Sequence, residues 1–438
     1  MGRVIFPEPR RLLAVLAAML AWLPAVAHAG DGGTTLFSSD TLSLYGDVRA
    51  VAVNGETAWS DDGFGKLRYG GDDPARPGDM RLRARFGEAG IVWQPKFGWA
   101  LTGTVVALAQ GGGAIEHRLD AGLSEAYVTY KPLGGGPVRL SARAGLMYPP
   151  VSLEHSGAQW AVTDTVTPSA IGSWIGEEVK VVGLEATIST HVGGHALALT
   201  LAGFDGNDTA GALLTYRGWA LHDRKALAFR TQPLPPLNDF MGYVQPRFSH
   251  PLLDVDPGVL HRPGYYAKLT WQLPQALRIE ALHYDNDGNP QAVNEQLEWG
   301  WRTKFDAVGA VVQLPAELLL RAQALSGRTR MGDDIGGVAW IDMRFRAAYG
   351  MLTRNFARGS ISARVDVLGT RNHGSAVDGQ DDEDGWALTT AARRELGSHV
   401  TGLVEYLHVD SHREARSRAG LGAQQAQDQM QFVVRARW

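Results

Sequence analysis

From Met430 to Trp438 the chain alternates with a period of two. Met430, Phe432, Val434, Ala436 and Trp438 form one set, and Gln431, Val433, Arg435 and Arg437 form the other. That period places the two sets on opposite faces of a strand. Similar stretches recur back to residue 42, separated by short turns and longer Gly-, Pro- and Asp-rich loops. Strands are predicted at residues 42–53, 80–93, 99–109, 123–130, 138–147, 178–189, 196–204 and 265–273, and again at 277–285, 297–312, 318–326, 339–353, 361–370, 386–394, 400–410 and 430–438. Connections alternate between short and long, which suits an antiparallel up-and-down barrel that sends one face to lipid and the other to water. Residues 209–222 read as either helix or strand. Treating residues 205–264 as one loop gives sixteen strands and keeps both ends of the chain on one side.

The alternation also assigns faces. Met80, Leu82, Ala84 and Phe86 are expected to meet lipid, with Arg81, Arg83 and Arg85 toward the lumen. Leu140, Ala142 and Ala144 oppose Arg139 and Arg143 in the same way. In residues 297–312, Trp299, Trp301 and Phe305 oppose Arg302, Lys304 and Asp306; in 339–353, Ile341, Met343, Phe345 and Tyr349 are expected outward, against Asp342, Arg344 and Arg346. The predicted pore-lining set is therefore Arg81, Arg83, Arg85, Arg139, Arg143, Arg302, Lys304, Arg344 and Arg346, joined on the lumen face by Arg49, Lys268, Arg321, Arg364, Arg393 and Arg435.

The start of the chain reads differently. Arg10 and Arg11 precede an apolar run from Leu12 to Ala27, broken by Pro24, and Ala27-His28-Ala29 supplies a small-residue cleavage site. Residues 1–29 are predicted to be a secretory signal peptide, leaving residues 30–438 as one barrel. The apolar run is too short for a spanning helix, and no later stretch is continuously apolar enough for one. An exported chain that enters a membrane without helices must satisfy its backbone in a closed sheet. The chain has no cysteine, which excludes a disulfide framework, a lipoprotein anchor and thiolate metal sites.

A formal charge of −4 conceals a separation. The predicted lumen face is mainly basic, whereas Asp61, Asp62, Asp72, Asp73, Asp381, Asp382, Glu383 and Asp384 fall in outer loops. Fixed cations around an aqueous lumen favour anions. The acidic loops either keep the surface solvated or hold divalent ions that bridge to outer-membrane lipopolysaccharide. Two segments are candidates to narrow the pore: residues 148–176, carrying Glu154, His155, Trp160, Asp164 and Trp174, and residues 205–264. Other candidate chemistry is thin. His373-Gly374-Ser375 and His408 with Asp410 lack a third catalytic partner, and His191 with His195 lacks a third metal ligand. Gly111 to Gly113 is not followed by the lysine and serine of a phosphate cradle. No catalytic activity, cofactor or nucleic-acid partner is expected.

The whole plan, with a leader, sixteen alternating strands, a long loop after the fifth strand and a terminal aromatic, resembles the Gram-negative outer-membrane porins. Arg143-Ala144-Gly145-Leu146-Met147-Tyr148-Pro149-Pro150 is similar to the strand-to-loop passage of the phosphate-selective porin family. Trp438 stands where that family usually ends on Phe, and its lysine-rich phosphate site has no counterpart found here. The resemblance implies a passive channel for small hydrophilic solutes, commonly a homotrimer. The alternatives are a barrel with a plugged lumen and a structural or adhesive role and, ranked below it, a barrel hydrolase.

Overall fold

The computed structural model describes residues 33–71, 78–111, 119–132, 134, 136–237, 240–256, 262–376 and 381–438. The predicted signal peptide lies outside the described residues. Sixteen long strands build the sheet: β1 (Leu42–Val53), β2 (Arg81–Trp93), β3 (Leu101–Gly111), β4 (Leu119–Tyr130), β5 (Val138–Met147), β6 (Val181–Val192), β7 (His195–Phe204) and β8 (Gly264–Leu273), followed by β9 (Leu277–Asp285), β10 (Arg302–Leu314), β11 (Leu318–Ile335), β12 (Val338–Phe356), β13 (Gly359–Asn372), β14 (Glu383–Glu395), β15 (Val400–Arg413) and β16 (Gln424–Arg437). Each pairs antiparallel with the next. β1 pairs with β16 from Tyr45↔Arg437 to Val53↔Gln429, so the sheet has no free edge. Closure matters in lipid, where an unpaired backbone edge has no water to turn to.

Short turns gather at the end that also holds Trp438, and this is the periplasmic end by the rule for such barrels. Gly193 and Gly194 make one of these turns, with φ of 56° and 82°, a conformation that glycine adopts without steric cost. The ambiguous stretch at 209–222 is neither strand nor long helix. It holds a short helical turn at Ala210–Ala212 and a π-helical turn at Leu213–Arg217, both buried.

The facing of β1, β2, β5 and β16 follows the alternation in the sequence. Leu82 and Phe86 are exposed on the outside, as are Phe432 and Val434, while Arg49 and Arg435 are buried within. In β10 and β12 the sequence-based facing is inverted. Phe305, Ile341, Met343, Phe345 and Tyr349 are buried inside the barrel, and Lys304, Asp306, Arg344 and Arg346 lie exposed on the outer surface. Arg302 and Asp342 share that outward face. Two physical causes combine. The lumen beside these strands is filled, so apolar residues belong on its inner side. β11 and β12 have 18 and 19 residues, against about 9–11 needed to cross a bilayer, so their outer ends stand clear of the hydrocarbon and tolerate charge.

Candidate functional site

The interior is occupied by two segments that fold inward from the outer end. The first, residues 148–180 between β5 and β6, is tied to the inner faces of distant strands. Lys268 Nζ on β8 donates to Pro150 O (2.8 Å), and Gln323 Nε2 on β11 donates to Val151 O (2.8 Å). Glu405 on β15 accepts from Val166 N (2.6 Å) and Thr167 N (3.0 Å), and Arg435 on β16 donates to Val162 O (3.3 Å). A segment reaching β8, β11, β15 and β16 at once can only cross the lumen.

Arg364 on β13 is the centre of this attachment. Its side chain is fully buried and donates to Glu154 (3.0 Å), Asp366 (2.8 Å), Thr167 O (2.9 Å) and Pro168 O (2.9 Å). Buried charge of this kind persists only when every partner is in place. Glu154 also accepts from Ser169 N (2.9 Å). His155 sits between Ser152 Oγ (2.8 Å) and Glu177 (2.9 Å) and stacks on Trp160, and Asp164 accepts from Arg321 (2.5 Å). Glu154, His155 and Asp164, read from the sequence as constriction residues, thus hold the segment in shape and position.

The second segment, from residue 205 to β8, packs on the first. Trp219 donates through its indole to Gly369 O (3.2 Å) and through its backbone to Glu383 (3.1 Å), which also pairs with Lys66. Arg413 caps the π-helical turn by donating to Thr215, Tyr216 and Arg217 carbonyls (2.9, 2.8 and 2.8 Å), where the backbone dipoles leave partial negative charge. Asp223 accepts from Arg49 (2.6 Å) and Arg68 (2.9 Å). Glu178 joins the two segments, pairing with Arg217 (2.7 Å) and His222 (3.1 Å). Burial works against its charge, but Arg217 and His222 prevail and hold its carboxyl down to about 2. Between the segments Trp174 meets Phe345 and Trp219 edge-on, with centroids 5.0 and 6.0 Å apart. Together they form an aromatic plug.

Asp208 gives the second segment a pH dependence. It accepts from Ala210 N (2.7 Å) and Asn286 Nδ2 (3.1 Å), yet burial raises its carboxyl from 3.8 to about 6. The folded state then holds the proton more tightly than the unfolded state, so this contribution is full below 3.8 and lost as pH rises through about 6. Thermal midpoints should fall across that window, and Asp208→Asn should flatten the fall. An unchanged slope in the variant would assign it to other groups.

The predicted pore-lining residues separate into groups. Arg83 and Arg85 are half-buried on the inner face, and Arg139 is exposed at the periplasmic end of the same face. Arg143 faces inward and pairs with Glu185 (2.7 Å), which also accepts from Tyr266 (2.7 Å). The backbone of Arg81 continues β2, but its side chain lies outside the described residues. Arg302, Lys304, Arg344 and Arg346 are outside the barrel and line no lumen. The acidic outer cluster is also paired: Asp382 and Asp384 with Arg371, and Asp381 with Arg418. Asp72 and Asp73 fall outside the described residues. His408 pairs with Asp428 (2.8 Å) and not with Asp410. Among the described residues no group of three or more His, Asp or Glu is gathered to hold a metal.

Space remains at both ends of the plug. On the periplasmic side a cavity of about 240 Å³ is lined by Ser43, Gln94, Gln159, Thr163 and Arg437. On the outer side a depression of about 780 Å³ is lined by Thr57, Asp61, Phe64, Pro236, Arg416 and Gln425. Along the arc β4–β8 the inward side chains Thr129, Ser141, Arg143, Thr187 and Thr270 are only half-buried, whereas Glu185, Thr200 and Tyr266 on the same inner face are buried, so the plug covers this wall only in part.

A closed sixteen-stranded antiparallel barrel with a loop folded into its lumen defines the outer-membrane porin class of fold. Among solved structures, the outer membrane channel DcaP of Acinetobacter baumannii superposes with a TM-score of 0.55 at 12% identity, over 92% of this chain and 99% of that chain. The anion-selective porin of Comamonas acidovorans gives 0.48 at 10% identity, over 93% and 100%. At these identities the likeness is one of fold. No protein-family model matches the chain, and no characterised protein matches its sequence.

Proposed function

We propose that this barrel is a passive outer-membrane channel for small hydrophilic solutes, narrowed by its two inserted segments and preferring anions. The observation that carries this reading is the half-exposed inner arc from β4 to β8. Hydroxyl and basic side chains line it and touch the plug at Lys268, whereas the opposite wall is locked to the plug along β11, β13, β15 and β16. Such a strip keeps water beside one wall of the barrel. Arg83, Arg85, Arg139, Arg143 and Lys268 outnumber the carboxylates accessible on β2–β8, and a polar path beside fixed cations favours anions.

The test is conductance of the purified protein in a planar bilayer under a potassium chloride gradient. The expected reversal potential has the sign of chloride selectivity. Replacing Arg81, Arg83 and Arg85 together by serine should lower the chloride-to-potassium permeability ratio several-fold, since each close charge is worth up to about 1 kcal/mol in water. Absence of conductance would favour the plugged, structural reading. Potassium selectivity would overturn the charge assignment.

A further inference from the structure

The inverted facing of β10–β13 leaves a pattern on the outside of the barrel that conduction does not use. Lys304 is directly opposite Arg328, Arg328 opposite Arg344, and Arg344 opposite Arg371. Four cations thus stand in one cross-strand row, on strands about 4.8 Å apart. Like charges placed so are unfavourable unless something neutralises them. Arg328 is paired with Asp342, and Arg371 with Asp382 and Asp384. Asp285 stands opposite Lys304 on β9 but is bound to Arg302 at 3.2 Å, so neither Lys304 nor Arg344 has an ion pair of its own among the described residues, and Arg346, one outward position below Arg344, has only Asp384 at 3.8 Å.

The surface just below the row is apolar and concave. A groove of about 590 Å³ is lined on the outer face by Leu199, Leu269, Ala281, Val308 and Ala324, and ends at Asp306 and Ser326. Lys304 and Arg328 are the next outward positions on the same two strands. A cation row at the level where strands leave the hydrocarbon, above a groove floored by small residues, matches a ligand with phosphates at one end and acyl chains at the other.

We propose that this face binds a phosphorylated glycolipid of the outer leaflet, its phosphates on Lys304 and Arg344 and an acyl chain in the groove beneath. Guanidinium and ammonium groups suit phosphate through charge-assisted hydrogen bonds. The proposal concerns the outer wall and is independent of whether the lumen conducts.

Native mass spectrometry of the detergent-purified barrel with bis-phosphorylated lipid A tests it. The wild type should retain the lipid, and K304S/R344S should lose about tenfold or more in affinity, the order expected for two charge-assisted contacts. Lipid A without phosphates should bind the wild type as weakly as the phosphorylated form binds the variant. A324W should weaken acylated lipid A and spare the deacylated sugar bisphosphate. R354S/R394S, which removes outward cations at the opposite end, should change nothing. All variants should keep the heat-modifiable electrophoretic mobility of a folded barrel. Equal retention by K304S/R344S, an equal loss in R354S/R394S, or displacement by inorganic phosphate would overturn the proposal. So would a loss of self-association in K304S/R344S with lipid retention intact, which would make this face an interface between copies of the chain.

Discussion

Replacing Arg364 by alanine is expected to detach the first inserted segment and raise single-channel conductance several-fold, while the barrel itself stays closed. The side chain is 0% exposed and is bound on every side, by Glu154, Asp366, two backbone carbonyls of residues 167 and 168, and Thr389 Oγ1 (3.1 Å). Alanine would leave Glu154 and Asp366 buried without a counter-charge, and breaking such a cluster typically costs about 3–5 kcal/mol. The wall does not share that loss, because its strands are held by backbone ladders, in which residue 364 pairs with Met351 and Thr389 through its main chain and alanine keeps that pairing. The cheapest relief is for the segment to leave, taking Glu154 into water. Arg364→Lys should fall between the two, since lysine restores charge but not the planar fork that reaches carboxylate and carbonyl together. Bilayer recordings and limited proteolysis within residues 148–180 would report the change. Wild-type conductance with wild-type protease resistance in the alanine variant would show that Arg364 does not hold the plug.

The sequence carried the strand count and the closure because each needs only local information: a two-residue rhythm, turn residues, and connections that alternate in length. β1, β2, β5 and β16 also show their facing, since their outward residues meet lipid (Leu82, Phe432) and their inward ones carry charge (Arg49, Arg83, Arg435). β10 and β12 defeat the same rule. An apolar residue in a barrel strand has two dry destinations, lipid or a packed plug, and alternation alone cannot choose between them. Trp301, Phe305 and Phe345 go to the plug. The inserted segments themselves were visible as long loops containing Trp174 and acidic residues. Their attachments were not, because partners such as Arg364 with Glu154, or Glu405 with Thr167, are separated by about half the chain or more. One signal was present: Arg364 and Asp366 occupy alternate inward positions, an arrangement that places opposite charges side by side within the lumen.

The inverted face makes a prediction that separates the two destinations. Phe345→Ala should destabilise the protein by about 3–5 kcal/mol, the usual cost of truncating a buried aromatic, whereas Arg346→Ser one position later should lie within about 0.5 kcal/mol of the wild type. Phe345 packs edge-on against Trp174 at 5.0 Å and Trp219 at 6.3 Å, and is 2% exposed. Its loss opens a cavity between the plug and the wall. Arg346 is 73% exposed in its side chain, and its nearest carboxylate, Asp384, is 3.8 Å away, a separation at which a surface pair contributes little. Were the sequence-based facing correct, Phe345 would meet lipid and its truncation would cost far less, while Arg346 would sit in the lumen and its loss would move the ion selectivity. Guanidinium unfolding from lipid vesicles, followed by tryptophan fluorescence, measures the first quantity, and the reversal potential measures the second. A large fluorescence-detected loss in Phe345→Ala with an unmoved reversal potential in Arg346→Ser is the result that this packing requires. The opposite pair of results would return the aromatic residues of β12 to the membrane and empty the lumen.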